Sequence, residues 1–238
     1  LSFYIGIPRK FSASIEKIIQ SVFSEAMVEP VKDYNIFNPE GFAAAAGVIL
    51  EKNMALPIRS YRFPESDPLK EITNAFSKLA EKGEGAALQL IVRPANKRYI
   101  KLISSIVAKI HQEGSIIKGL GAESAAFILK KIIFGEAKKN EDVIEKPKIL
   151  TFQEQELVKQ IEVKGFKPLF ETNIRLVVSA NNLERAQSIL GMLKASFVQF
   201  ANPGLNNFTF KDYVGRNLRQ FIYDFSFRNF NSYRQIIL

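Results

Sequence analysis

The stretch "LQLIVRPAN", residues 88–96, sets the frame for the whole chain. Apolar residues run up to an Arg-Pro corner, and a basic, amphipathic stretch follows at once. That is the pattern of a strand, a turn and a helix. It nearly recurs at 174–182, "IRLVVSANN", which also runs into an amphipathic stretch, and a third strand–turn–helix pattern spans 2–23. The repetition lies in the pattern and does not extend to matching sequence.

Working back toward the start, "LSFYIGIP" alternates Phe3, Ile5 and Ile7 against Tyr4, the period of a strand over 2–8. Ser12 or Ser14 is placed to cap the next helix, whose stripe is Ile15, Ile18, Ile19, Val22 and Phe23. "VKDYNIF" reads as a second strand and Asn38-Pro39-Glu40-Gly41 as a turn. "FAAAAGVIL", 42–50, pulls two ways: alanine favours helix, whereas the short length, Gly47 and the Val48-Ile49 pair favour strand. Strand is the reading taken. "LPIRSYRF" continues as extended chain. Asp67 caps a helix with Pro68 at its first position, and Gly83 and Gly85 close that region before 88–94.

The resulting order over 1–96 is β-α-β-β-α-β, the ferredoxin-like split βαβ arrangement of an α+β domain. Residues 97–150 read as two helices, about 97–112 and 122–134, and then a charged linker over 135–150. Residues 151–238 read as a second, smaller α/β part. It contains a helix over 152–163, the strand "FETNIRLVVSA", and a helix opened by Asn181 with Glu184 three residues on. A short strand at "NNFTF" follows. The tail "QFIYDFSFRNF" alternates aromatic and other residues, which predicts a strand.

Composition narrows the chemistry. With no Cys there is no disulfide, thiolate or Cys-ligated zinc, and one His, His111, excludes multi-His metal sites. His111 near the end of its helix suits the helix dipole better than it suits catalysis. No Gly-rich loop ends in Gly-Lys-Ser/Thr; "KGLGAES" at 118–124 is a helix-start turn, so a P-loop is not encoded and no cofactor is implied. The carboxylate pairs Glu154/Glu156 and Glu141/Asp142 lie in polar stretches that read as solvated faces. No apolar run is long enough to span a bilayer.

The net charge is +9 and the excess drifts toward the C-terminus, which permits contact with nucleic acid or an anionic surface. Arg216, Arg219, Arg228 and Arg234 surround Phe221, Tyr223, Phe225, Phe227 and Phe230, and interleaved Arg and aromatic residues can hold phosphates and stack bases. Core packing of alternate aromatics is the stronger reading. Arg93 and Arg175 belong to the two matching strands, with local salt bridges as their default role. Together Arg93, Lys97, Arg98, Arg175, Arg216, Arg219 and Arg228 are the candidate contacts for nucleic acid or a protein partner. No catalytic residue is assigned.

The segment "SYRFPESDPLKEITNAFSKLAEKGEGAALQLIVRPAN" resembles the N-terminal accessory region of bacterial type IV secretion and conjugative-transfer ATPases of the HerA and coupling-protein kind. The matching features are Pro57-Ile58-Arg59, Asp67-Pro68-Leu69, Ser77-Lys78-Leu79 and Ile91-Val92-Arg93-Pro94. The opening 23 residues, "VKDYNIF", "IEVKGFKPLFETNIRLVVSA" and "FSFRNFNSYRQIIL" fit the same pattern, so the resemblance spans nearly the whole chain. It implies a non-catalytic assembly domain of a hexameric translocation ATPase at the inner face of the membrane. Such a domain sits between an upstream anchor and a downstream RecA-like motor. This sequence carries neither, and it reads as a piece of a longer chain. Implied partners are other copies, held through the motor, and other secretion-machine components, with DNA as the alternative.

Overall fold

A computed structural model describes residues 1–59, 67–79, 82–113, 150–202, 204–233 and 235–238. The chain divides into two compact units, Leu1–Ile36 and Phe37–Leu238.

In the first unit a 3₁₀ turn, Arg9–Phe11, leads into α1, Ser12–Val22. Phe11 occupies the N-cap position and no side chain caps the helix, so neither Ser12 nor Ser14 has the capping role expected of it. Tyr4 stacks on Tyr34 with ring centroids 4.5 Å apart. The stretches 2–8 and 31–37 are not strands. Alternation gives a chain one apolar side, but a strand also needs a neighbour to complete its ladder, and among the described residues neither stretch belongs to a ladder. Residues 1–96 therefore contribute two strands among the described residues, not the four of the expected split βαβ order.

The second unit is α+β. Its elements are β1 (Phe42–Leu50), α2 (Pro68–Phe76), β2 (Gly85–Pro94), α3 (Lys97–Glu113), α4 (Phe152–Gly165), β3 (Phe170–Ala180), α5 (Leu183–Ala195), β4 (Phe208–Tyr213), α6 (Gly215–Ser226) and β5 (Ile236–Ile237). The five strands form one open antiparallel sheet in the order β2-β3-β1-β4. β1 pairs with β3 from Phe42↔Ala180 to Val48↔Ile174. β5 takes the same edge of β3 farther along, at Thr172↔Ile236 and Glu171↔Ile237. Strands from 1–96 and from 151–238 thus share one sheet, with β3 between β2 and β1.

β1 settles as a strand despite its alanines because both edges are paired and residues 44–48 are buried. Tertiary pairing outweighs a helix preference of a few tenths of a kcal/mol per residue. The caps of α2 and α4 are local. Asp67 Oδ1 accepts from Leu69 N at 2.9 Å, with Pro68 following. Thr151 and Glu154 form a capping box that the sequence carries as T-x-x-E. Glu154 is therefore buried and occupied at the cap, not a solvated carboxylate. The cap of α5 falls one residue later than expected: Asn182 Oδ1 accepts from Arg185 N at 2.8 Å, while Asn181 Oδ1 accepts from Asn38 Nδ2.

Strand alternation sorts the sheet into two faces. Ala44, Ala46 and Val48 lie beside Val178, Leu176 and Ile174, and with Leu88, Phe208 and Phe210 they pack under α5 through Ile189, Leu190 and Leu193. A second core joins α3 and α4 through Ile103, Ile106, Ile110, Leu157 and Ile161, with Leu56, Leu205 and Ile237. Asn206, fully buried, donates to Asn53 O and Leu56 O at 3.0 Å each and accepts from Lys52 N and Asn207 N. It ties the turn after β1 to the approach to β4.

The largest departure from sequence expectation is the tail. "QFIYDFSFRNF" runs through α6, not a strand. Phe221 and Phe225, four residues apart, are its buried pair, and i, i+4 spacing suits one face of a helix as well as it suits alternation. The expected helix at 122–134, most of the linker at 135–150, the turn at 118–124, Glu141/Asp142 and Arg234 lie outside the described residues. Among the described residues no helix is long and apolar enough to cross a membrane.

Candidate functional site: the polar face of the sheet and helix α6

The second face of the sheet is built from the odd-numbered positions of β3, Glu171, Asn173, Arg175 and Ser179, all buried. Alternation forces this. If Ile174, Leu176 and Val178 face the apolar core, their neighbours must point the other way. Opposite them across the ladder stand Gln89 on β2 and Gly47 on β1.

Arg175 is the hub, at 3% exposure. Its Nη1 donates to Gln89 Oε1 at 2.9 Å and to Asp224 O at 2.8 Å. Its Nη2 donates to Asn229 O and, at 3.4 Å, to Asn173 Oδ1. Two of the four acceptors are backbone carbonyls at the C-terminal end of α6 and just past it. There the helix dipole is negative and the last carbonyls lack helical partners. A strand arginine thus caps a helix from the side. Gln89 Nε2 adds a bond to Phe225 O at 2.9 Å. Asn173 clasps residue 231 twice, accepting from Asn231 N at 2.6 Å and donating to Asn231 O at 3.0 Å.

Burial lowers the pKa of Arg175, and the charges of Asp224 and Tyr213 oppose that shift. Guanidinium starts so far above neutrality that it stays charged. Gly47 leaves room for the layer above. A Cβ there would meet the Tyr213 ring at 3.4 Å and Phe221 at 3.5 Å, and those two rings stack with centroids 4.2 Å apart. A recess of about 20 Å³, the space of one water molecule, lies among Gly47, Asn173, Arg175, Tyr213, Phe221 and Asp224.

Arg93 sits near the end of β2. Its Nε donates to Glu171 Oε2 at 2.5 Å, Nη2 reaches Ser232 Oγ at 3.2 Å, and its guanidinium lies 3.9 Å from the Phe230 ring centroid. Arg93 and Arg175 therefore both fasten the segment after α6 onto the sheet. Lys97 and Arg98 open α3, a different element, and are exposed. Arg98 Nη2 donates to its neighbour Tyr99 Oη at 2.8 Å.

Arg216 and Arg219 lie on the solvent side of α6, and Arg228 follows it with φ 53°. Helical geometry puts Arg216, Arg219, Tyr223 and Phe227 on one stripe, opposite Phe221 and Phe225. Tyr223 is 52% and Phe227 64% exposed, and their rings lie 4.5 Å apart. Arg216 and Arg219 have no ion pair or hydrogen bond from their side chains among the described residues. The one acid of α6, Asp224, accepts from Gln220 and Asn229. The Arg–aromatic interleaving read as a strand thus separates into a buried aromatic side and an exposed cationic–aromatic ledge.

Sequence reading missed Gln89, Asn173, Asp224 and Tyr213 as members of this network. A signal was present for Asn173 alone: polar residues at 171, 173, 175 and 179 interrupt an apolar strand at period two, the mark of a strand with one polar face. Lys164 also escaped notice. It reaches from the last turn of α4 to Met54 O at 2.7 Å and Ile237 O at 2.8 Å, and burial lowers its pKa from 10.5 to about 8.

No curated protein and no solved structure matches the chain. One family model does, over residues 4–238; the chain belongs to the family described as a domain of unknown function, DUF8128.

Proposed function

We propose that this chain is a non-catalytic interaction domain of a type IV secretion or conjugation-type translocation ATPase, working at the cytoplasmic face of the membrane. The observation that carries the reading is the use made of the polar sheet face. Arg175, Gln89 and Arg93 each donate to a carbonyl or side chain of α6 or of the segment after it, and the remaining guanidinium bonds stay within the sheet. Polar groups committed in this way position a helix. They are not poised for proton transfer or nucleophilic attack, which need a reacting atom within hydrogen-bond reach. The helix so held presents arginine and aromatic side chains outward, the residue types enriched at interface hot spots. The resemblance described above supplies the machine.

The test is photocrosslinking in cells that make the protein, with Tyr223 replaced by benzoylphenylalanine. The expected adduct joins the chain to a motor or other component of a secretion or DNA-transfer machine, or to cargo in transit through it. Adducts confined to abundant unrelated proteins, or none, overturn the reading. So does ATP hydrolysis by the purified 238-residue chain that persists in variants of its surface.

A further inference from the structure

We infer that the outer face of α6 is a contact surface for single-stranded nucleic acid, with Arg216 and Arg219 neutralising phosphates and the Tyr223–Phe227 ring pair stacking a base. The inference rests on the reading that α6 presents the chain's working surface, and it names the partner.

Four observations carry it. First, the ledge is cationic without internal compensation: neither arginine has a carboxylate partner among the described residues, and Asp224 is held by Gln220 and Asn229. Second, the two rings are open to solvent over half or more of their surface and lie side by side at 4.5 Å. Exposed aromatic surface of that size, next to unpaired cations, suits a polyanion that carries planar rings of its own. Third, the stripe has the right extent. From Arg216 to Phe227 it runs about 16 Å at 1.5 Å per residue, the length of a few nucleotides. Fourth, the ledge is pre-organised. Arg175 and Gln89 hold carbonyls at the C-terminal end of α6 and just past it, and Phe37 meets Phe225 edge-on at 6.2 Å. A surface held rigid before binding loses less entropy on binding. The chain's net charge of +9 adds a general attraction for polyanions.

The experiment is a fluorescence-anisotropy titration of the 238-residue chain with fluorescein-labelled oligothymidylate, between about 50 and 200 mM salt. Three proteins are compared: the unaltered chain, the double variant Arg216→Glu/Arg219→Glu, and Tyr223→Ala, each checked for its fold by circular dichroism. Single strands give a log–log salt slope of about −0.7 per phosphate neutralised. The double variant should therefore have a slope shallower by about 1.4 and weaker binding at low salt. Tyr223→Ala should lose about fivefold or more in affinity, the low end for one stacked base, with its slope unchanged. No binding by the unaltered chain at about 50 mM salt overturns the inference. So does a slope that the arginine variant leaves alone, or a Tyr223→Ala variant of full affinity. Binding to phosphatidylglycerol vesicles without binding to the oligonucleotide overturns it in favour of a lipid surface. A protein photoadduct at position 223 without oligonucleotide binding overturns it too, while leaving the proposed function standing.

Discussion

The two faces of the sheet are held down by different physics. Beneath α5, Ala46, Leu176, Val178 and Ile189 exclude water and make no directed bonds. Beneath α6, one guanidinium and two amides donate to carbonyls of the helix and of the segment after it. Apolar burial is non-directional and sums over many small contacts, so it stabilises the unit as a whole. A buried polar network contributes less net stability, but it costs heavily when half-satisfied, so it fixes where one element lies. The apolar face accounts for the existence of the sheet, and the polar face accounts for the position of α6 and its ledge.

The strongest way to break the comparison is Leu176→Ala. Leu176 is fully buried on the dry face, and the change should cost about 3–5 kcal/mol with a single cooperative loss of structure in urea. Arg175→Ala, one residue away and pointing the other way, should cost about 2–4 kcal/mol because it removes the guanidinium donors from Asn229 O and Gln89 Oε1 and leaves Asp224 O only its bond from Asn229 N. The contrast lies in where the damage goes. Hydrogen exchange should quicken over 215–231 in Arg175→Ala far more than over 183–195, whereas Leu176→Ala should quicken both. Equal loss of protection in the two helices of Arg175→Ala would remove the distinction between the faces.

Lys164 sharpens it further, as a largely buried cation whose hydrogen bonds run to carbonyls and which has no carboxylate among the described residues to offset its burial. Below about pH 8 folded and unfolded chains both hold the Lys164 proton, and the full cost of burying the ammonium is present. Between about 8 and 10.5 the folded chain has released the proton and the unfolded chain still binds it. The unfolded state then holds more protons, so this group makes stability rise with pH across that window, by at most about 3 kcal/mol. The neutral amine keeps two N–H donors for Met54 O and Ile237 O. Urea midpoints at about pH 7 and about pH 10 should show this rise in the unaltered chain relative to Lys164→Met. An unchanged difference between the two proteins at both pH values would contradict it.

The smallest effect belongs to a local cap. Asn182→Ala should cost about 1 kcal/mol, read as a small fall in thermal midpoint. It should leave the order of protection between α5 and α6 as it was.

Much of this arrangement was legible in the residues. β2, β3 and the bodies of α1, α2, α3, α4 and α5 follow from apolar periodicity, and Asp67-Pro68 announces a helix start. β1 was legible only as a conflict between alanine propensity and β-branched residues, which pairing on both edges decided. The stretches 2–8 and 31–37 misled because alternation is necessary for a half-buried strand and says nothing about a partner. Of the seven candidate contact residues, Arg93 and Arg175 turned out to be fasteners of the segment after α6. Arg216 and Arg219 came together with Tyr223 and Phe227 on one ledge. Lys97 and Arg98 went to another helix. Nothing in the spacing of 89, 173, 175 and 224 could announce one network, because its members come from three elements far apart in the chain.

The sequence alone determined which segments carry an apolar stripe of helical or strand period, since that pattern depends on neighbours within a turn or two. It also determined that β3 has one polar side, since side chains alternate whatever the strand pairs with. Tertiary structure alone decided that β3 lies between β2 and β1, and that 220–226 coils within α6 in place of extending. Phe221 and Phe225 satisfy both periods, and only a sheet face with room above Gly47 and a guanidinium aimed at the carbonyls of α6 favours one over the other.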